Sequence, residues 1–348
     1  MDLMQSEDQD AIQETVRSFL SDRLPLDRTR VLAAQFTTTE GAGEPAAIWR
    51  DAGSLGFFGL GLPQERGGAG FSVTEEMILL QEIGRVLAPG PWLGSVVAAG
   101  IAADEGERAA IVAGERPCAL VAVASGDRFE VSGTEASGSL ARVADAGFAQ
   151  ALLVRAGDGW YYVRRGDDWR VEAGRSLDPM RPLASLSFAG AECSEVASGA
   201  AAERLDDRVT ALSCAEAIGG IESTVNMSVE YCKVRTQFGK PIGSFQAVKH
   251  RCADMAVRAE VARSATIYAV VSLRDAAADA AHHVAVAKLM CGDAYLKNGA
   301  DNIQNHGGMG FTWECDAHLY MKRAHSFDLT FGARPAQLDT LVREMRAL

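Results

Sequence analysis

Hydrophobic positions recur with one period at the two ends of this chain and with another in its middle. Residues 8–20 place Ile12, Val16, Phe19 and Leu20 on one helical face. Residues 46–55 read as a short helix. Residues 72–86 open with Ser72 and Glu75, the spacing of a capping box, and stop at Ala88-Pro89-Gly90-Pro91. Residues 92–114, rich in small side chains, are predicted as helix. From about Pro117 to Ser198 the period shortens. Residues 119–123, 129–131, 151–154, 160–163, 169–171 and 186–188 are β-type runs separated by Gly, Asp and Ser. From Arg204 onward helical spacing returns over 204–234, 244–274, 276–304, 315–324 and 335–348. Eight of the ten prolines lie at or before Pro182, which leaves the second half free for long helices. The predicted class is α+β: an N-terminal helical domain over 1–116, a small, shortened antiparallel β domain over 117–200, and a C-terminal bundle of four-helix type over 201–348.

Composition narrows the function. A chain of 348 residues, 48% hydrophobic and 23% charged, has room for two or three domains and the balance of a soluble enzyme. Its 34 basic and 46 acidic residues give a net charge of −12, which argues against nucleic acid or an anionic membrane as the main partner. A few placed arginines can still hold an anionic ligand. The seven cysteines are odd in number and form no C-x-x-C pair, so reduced, mostly buried thiols and a cytoplasmic location are expected. The start of the chain is acidic and polar, unlike a signal peptide. No run approaches the ~18 apolar residues of a membrane span.

Most motif-like features read as structural. Gly56-x-x-Gly59-x-Gly61 lacks the Lys-Ser/Thr of a phosphate loop and a preceding strand, so a tight turn is expected there. The run Gly67-Gly68-Ala69-Gly70 is treated the same way. His282 and His283 are adjacent and point about 100° apart on a helix, so they cannot share a metal. No G-x-S-x-G elbow is present. Two segments carry more. Arg235-Thr-Gln-Phe-Gly-Lys-Pro-Ile-Gly-Ser-Phe-Gln246 joins two long helices. Its Arg235 has the planar fork suited to a pyrophosphate, and Phe238 offers an aromatic surface. A helix-terminal arginine followed by a plain connector would read the same way. Gln304-Asn-His-Gly-Gly-Met-Gly-Phe311 ends a helix in a double glycine. There the backbone can approach a ligand closely, and Gln304 offers both a donor and an acceptor. A glycine helix cap explains the same pattern.

Together, in this order, these segments resemble the acyl-CoA dehydrogenase family. Ala253-Asp254-Met255, Leu62-Pro-Gln-Glu-Arg-Gly-Gly-Ala-Gly70, Glu82-Ile-Gly-Arg85 and the helical–β–helical order add to the resemblance. It implies FAD as cofactor, an acyl-CoA thioester as substrate, and electron transfer onward to an electron-transfer flavoprotein. It also implies that Arg235, Phe238, Gln304, Gly307 and Gly308 hold FAD, reaching across a subunit interface.

The departures are as informative. The family's usual base is a Glu before a Gly; here Phe331 precedes Gly332. The alternative base position, near the start of the first long C-terminal helix, is Val209, followed by Thr210 where those members carry Arg. Only Asp206, Asp207 and Arg208 lie nearby. The family's Thr-Glu-Pro-x-Ala-Gly-Ser motif is reduced to Gly133-Thr-Glu-Ala-Ser-Gly138. A missing general base costs roughly 10²–10⁴-fold in rate. The chain resembles the short members of the family that form α₂β₂ assemblies, and that resemblance implies the non-base subunit of a heterotetramer, paired with a homologous subunit and acting on bulky, steroid-derived thioesters. Two other readings stay open: a self-sufficient homo-oligomer with Asp207 (or Asp206) as base, and a flavin-free structural subunit.

Overall fold

The computed structural model describes residues 5–37 and 43–347. Its first part is helical: α1 (Glu7–Arg23), α2 (Leu26–Ala33), α3 (Glu44–Ser54), α4 (Val73–Arg85), α5 (Trp92–Ile101) and α6 (Glu105–Val112). The strands β1 (Cys118–Ala122), β2 (Arg128–Ser132), β3 (Glu135–Ala144), β4 (Ala151–Ala156), β5 (Gly159–Arg164), β6 (Arg170–Ala173) and β7 (Leu183–Ser198) follow. Then come α7 (Ala200–Val234), the short strands β8 (Thr236–Gln237) and β9 (Lys240–Pro241), α8 (Gln246–Arg274), α9 (Ala280–His306), α10 (Ala317–Leu329) and α11 (Arg334–Ala347).

Local chemistry explains several boundaries. At the start of α4 the Ser72 N–H donates to Glu75 Oε2 at 2.8 Å, and the Thr74 N–H donates to Ser72 Oγ at 3.1 Å. That is the reciprocal arrangement a capping box supplies. The single helix expected over 92–114 is instead two. Ala102 turns extended, and Asp104 starts α6 by accepting from the Glu107 N–H at 2.8 Å. An Asp at this position satisfies an otherwise orphaned donor.

The larger sheet runs β1-β4-β5-β7-β3-β2, with β6 also on β7. It is mixed, which corrects the antiparallel expectation. β1 and β4 pair in parallel from Cys118↔Ala151 to Ala122↔Arg155, and the other pairs are antiparallel. The intervening β2 and β3 form the long crossover that a parallel return requires. β3 escaped the pattern reading because the register shift between Leu140 and Val143 puts an extra residue into it and interrupts its alternation; the shift at Ala136/Gly138 puts its extra residue on β7. Arg142 sits in the β3 bulge at φ 57°, and that bulge exchanges the two faces of the strand beyond it. Leu140, Val143, Leu152, Val154, Val163, Trp169, Leu186 and Phe188 form the buried face.

The chain divides into two compact units, cutting through α1, α4 and α7. One comprises Ser21–Leu79 and Ala88–Val209. Beside the sheet it holds an aromatic core, with Trp49 4.3 Å from Trp92 and 5.2 Å from Phe58 between ring centroids. The Pro-Gly-Pro stop belongs to that core: a Cβ on Gly90 would come within 2.7 Å of the Trp49 ring. Gly61 leaves space for Glu76, whose Oε1 would be 2.2 Å from a Cβ there. In the glycine cluster at 56–61, Gly61 thus serves packing, while Gly56 turns the chain at φ 77°.

The other unit comprises Met1–Leu20, Leu80–Leu87 and Thr210–Leu348. In it α4 and α7 cross with almost no side chain between them. A Cβ on Gly84 would lie 1.8 Å from Glu216 O, and one on Gly219 would lie 1.8 Å from Gln81 O. Glu82 is buried and takes hydrogen bonds from Arg17 (2.6 Å) and Arg85 (2.5 Å). α8 and α9 are laced by Arg258 Nε donating to Asn298 Oδ1 (2.8 Å) and by Asn298 Nδ2 donating to Met255 O (3.0 Å).

Candidate cofactor-binding site

α7 ends in a two-stranded hairpin whose tip is Phe238-Gly239. The Ile242 N–H donates to Arg235 O at 2.8 Å, and Thr236↔Pro241 and Gln237↔Lys240 pair. Phe238 has φ 52° and Gly239 φ 80°, the two left-handed positions of a type I′ turn. Glycine adopts that conformation freely, whereas phenylalanine does so at a cost. The strained ring is not buried in return: Phe238 is 92% exposed, held near Phe245 at 6.0 Å between centroids. Arg235 is exposed too, and no side chain among the described residues pairs with its guanidinium.

The second segment closes α9. Gly307 ends the helix at φ 61°, its N–H returning to Gln304 O. Gly310 is required by packing, since a Cβ would come within 2.7 Å of Ile303 O. Gly308 has neither reason. Its backbone is not left-handed and a Cβ would meet nothing within 4 Å. An open glycine with no role inside the chain is what close approach by an outside ligand calls for. Met309 and Phe311 beside it are exposed, Phe311 at 76%.

These two segments meet at one end of their unit. The Tyr231 ring on α7 stacks on His306 of α9 at 4.3 Å. Arg251, near the start of α8, donates to Asn305 Oδ1 at 2.9 Å. A free guanidinium, a presented aromatic face, an exposed Gln304 amide and an open glycine backbone therefore share one end. Each donor in that set suits the pyrophosphate and adenine of a dinucleotide.

The positions where a base would stand lie elsewhere. Val209 is buried at 1% exposure. Thr210 Oγ1 donates to Phe331 O at 3.4 Å, which places the Phe331 turn against the first part of α7. Thr210 and Arg235 are separated by about 37 Å along the helix axis at ~1.5 Å per residue. The base end and the hairpin end of one chain therefore do not face each other. Asp206 faces the sheet, accepting from Arg155 Nε (2.9 Å) and Trp160 Nε1 (2.9 Å). Arg208 is ion-paired with the buried Glu76 at 2.6 Å. Burial pushes the Glu76 carboxyl up, against the pull of Arg208. Asp207 is half-buried on α7.

Sequence reasoning missed Lys288. Buried on α9, it donates to Phe327 O and Thr330 O at 2.8 Å each, capping α10 immediately before Phe331. Burial pushes its ammonium down to about 8. A lysine in a helical pattern normally signals a solvated face, so nothing in the sequence marked it. Arg323 is also buried and donates to Glu216 at 2.7 Å. Its neighbour Lys322 lies 4.5 Å over the Trp313 ring. The seven cysteines are free thiols, and among the described residues no helix is long and apolar enough to cross a membrane.

Comparison with known proteins identifies the family. The family model for the acyl-CoA dehydrogenase N-terminal domain matches residues 6–108, and that for the C-terminal domain matches residues 202–346. The acyl-CoA dehydrogenase IpdE2 of Mycobacterium tuberculosis is 34% identical over 92% of this chain and 91% of its own length. The acyl-CoA dehydrogenase FadE34 of the same organism is 38% identical over 80% of this chain, which spans only 40% of FadE34. Among solved structures, the ChsE4-ChsE5 complex from M. tuberculosis superposes with a TM-score of 0.86 at 24% identity, covering 100% of both chains. The Tcur3481-Tcur3483 steroid dehydrogenase variant superposes at 0.84 and 25% identity, covering 99% of both chains.

Proposed function

The chain belongs to the acyl-CoA dehydrogenase family, and on that premise we propose that it is the base-less subunit of a heteromeric, FAD-dependent member. Its fold is the family fold, and its activity class is oxidation of acyl-CoA thioesters. The observation that carries the finer reading is the contrast between its two ends. The hairpin and glycine turn keep Arg235, Phe238, Gln304, Gly307 and Gly308 displayed, while the base positions hold Val209 and Phe331.

FAD, when bound, supplies the acceptor for the hydride that leaves the β-carbon of the thioester. This chain's residues do the holding. Arg235 neutralises pyrophosphate charge through charge-assisted hydrogen bonds. Phe238 and Gln304 address the adenine end, and the Gly307-Gly308 backbone lets the ligand lie close. The ~37 Å between the hairpin and Thr210 supports their serving a flavin whose reacting end is lined by another subunit. A homologous subunit then supplies the base that takes the α-proton, and an electron-transfer flavoprotein receives the electrons. The paired names of ChsE4-ChsE5 and Tcur3481-Tcur3483, the second described as a steroid dehydrogenase, favour a bulky steroid-derived thioester.

Co-expression with a homologous base-bearing subunit tests this. The expected result is a yellow heteromer that turns over acyl-CoA, while the chain alone is colourless or insoluble. A pure single-chain preparation that retains FAD and desaturates acyl-CoA overturns the proposal.

A further inference from the structure

We propose that the stacked rings of Tyr231 and His306 fix the glycine turn at 307–310 against the Arg235 hairpin, which makes both of them positioning residues for the dinucleotide. The proposal rests on the reading of those two segments as flavin ligands. Tyr231 lies one helical turn before Arg235, whose N–H donates to Tyr231 O at 2.9 Å. His306 is the last residue of α9 and adjoins Gly307. The two rings stand 4.3 Å apart between centroids, with 26° between their planes. The contact therefore joins the roots of the two segments that the site needs together.

The glycine turn cannot hold a pose by itself. Gly307 stands at φ 61° and ψ −140°, and a Cβ on Gly307 or Gly308 would meet nothing within 4 Å. Two open glycines in succession leave the backbone free to rotate. The direction of their N–H groups is set by what lies on either side. Beyond them, Gly310 is wedged against Ile303 O, 2.7 Å from where its Cβ would be. Before them stands His306, which is only 9% exposed.

Two contacts fix the His306 ring. Its Nδ1 donates to Asn302 O at 2.8 Å, which puts the ring proton on that nitrogen. Asn302 is fully buried and is anchored in turn, its Oδ1 accepting from Ser228 Oγ of α7 at 2.8 Å. The Tyr231 ring covers the imidazole face. A hydrogen bond sets the rotation of the ring and a stack sets its tilt, whereas an aliphatic pair would fix neither. Paired polar groups in a core specify one arrangement, and a binding site works within about 0.5 Å of its productive geometry. The Tyr231 hydroxyl has no hydrogen bond among the described residues, so its ring is the part that positions.

The experiment measures the flavin dissociation constant of the heteromer by equilibrium dialysis, with a thermal melt of each variant. Tyr231→Leu and His306→Leu both remove the stack, and each should raise the dissociation constant about 2- to 12-fold. Tyr231→Phe keeps the ring and should bind flavin as the wild type does. A joint that acts through the ligand-holding residues does not add to them: Arg235→Ala should cost a smaller factor in the Tyr231→Leu background than in the wild type. A pair that only braces the helices would lower Tm in the leucine variants and leave flavin affinity unchanged, and that result overturns the proposal. So does strict additivity of Tyr231→Leu with Arg235→Ala, or a loss of affinity in Tyr231→Phe equal to that in Tyr231→Leu. If His306→Leu does not fold, Tyr231→Leu, at a half-buried position, carries the same test. Undiminished flavin binding in Arg235→Ala overturns the reading of the site and this proposal with it. A weakened Arg235→Ala beside leucine variants of wild-type affinity overturns the joint alone.

Discussion

Arg235 stands in solvent with no side chain of the described residues paired to it, so removing it disturbs nothing inside the chain. A hydrogen bond to a charged group contributes about 1.5–3 kcal/mol. Arg235→Ala should therefore weaken flavin retention by the heteromer roughly 10- to 100-fold, with Tm unchanged. Equilibrium dialysis of the flavin and a thermal melt check both halves. Asp207→Asn should leave turnover of the heteromer unaltered, because the base belongs to the partner. A collapse of kcat in steady-state assays would restore Asp207 as the base. At this scale the residues proposed to hold the flavin were legible as a pattern, since Arg235, Phe238 and the double glycine are unusual residues in unusual order. Lys288 and Thr210 were not. Their roles depend on which carbonyls happen to face them, Phe327 and Thr330 for one and Phe331 for the other, and spacing along the chain carries no trace of that.

The crossing of α4 and α7 shows what a glycine inside a helix can mean. Gly84 and Gly219 each face a main-chain carbonyl of the other helix at a distance no Cβ tolerates. Gly219→Ala should therefore cost about 3 kcal/mol, as a drop in urea midpoint without loss of helical content. The Glu-Ile-Gly-Arg motif at 82–85 thus serves packing, with Glu82 as its electrostatic half. Burial alone would raise the Glu82 carboxyl, but the bonds from Arg17 and Arg85 hold it below the ordinary glutamate value. A depressed folded pKa means that the folded state binds fewer protons, so stability rises with pH across the shift. The contribution is complete above the unfolded value of about 4.3 and fades as pH falls through the folded value. Glu82→Gln should destabilise by about 2 kcal/mol at neutral pH, and the gap to wild type should shrink below about pH 4, as denaturant titrations at both pH values would show. Helices of the second half were legible because long periodic runs without proline leave few alternatives. β3 was not, because the bulge between Leu140 and Val143 breaks the alternation that identifies a strand. The α5–α6 break was missed because Asp104 looks like any surface acid until it caps.

For the molecule as a whole, the −12 charge and the displayed ends of the helical unit act in different directions. The charge keeps copies of the chain apart, while Phe238, Phe311 and Trp313 stand exposed and ask for cover. Native mass spectrometry of the co-expressed protein should show this chain only in assemblies with its homologue, with flavin absent from any free single chain. Homomers of this chain carrying flavin would contradict that. The order of α and β regions was readable from the change of period, whereas the centre of the sheet was not: only three residues of β7 had been expected. β7 is the last-made strand of the larger sheet and pairs with β5, β3 and β6. On a ribosome delivering about 5–20 residues per second, β5, β3 and β6 each wait with an edge that only β7 fills, and a nascent chain stalled between residues 164 and 183 would present the edges already made to its neighbours. A product truncated in that window should be cleared by proteases or lost to inclusion bodies, and a synonymous codon change that slows translation there should lower the yield of the intact protein.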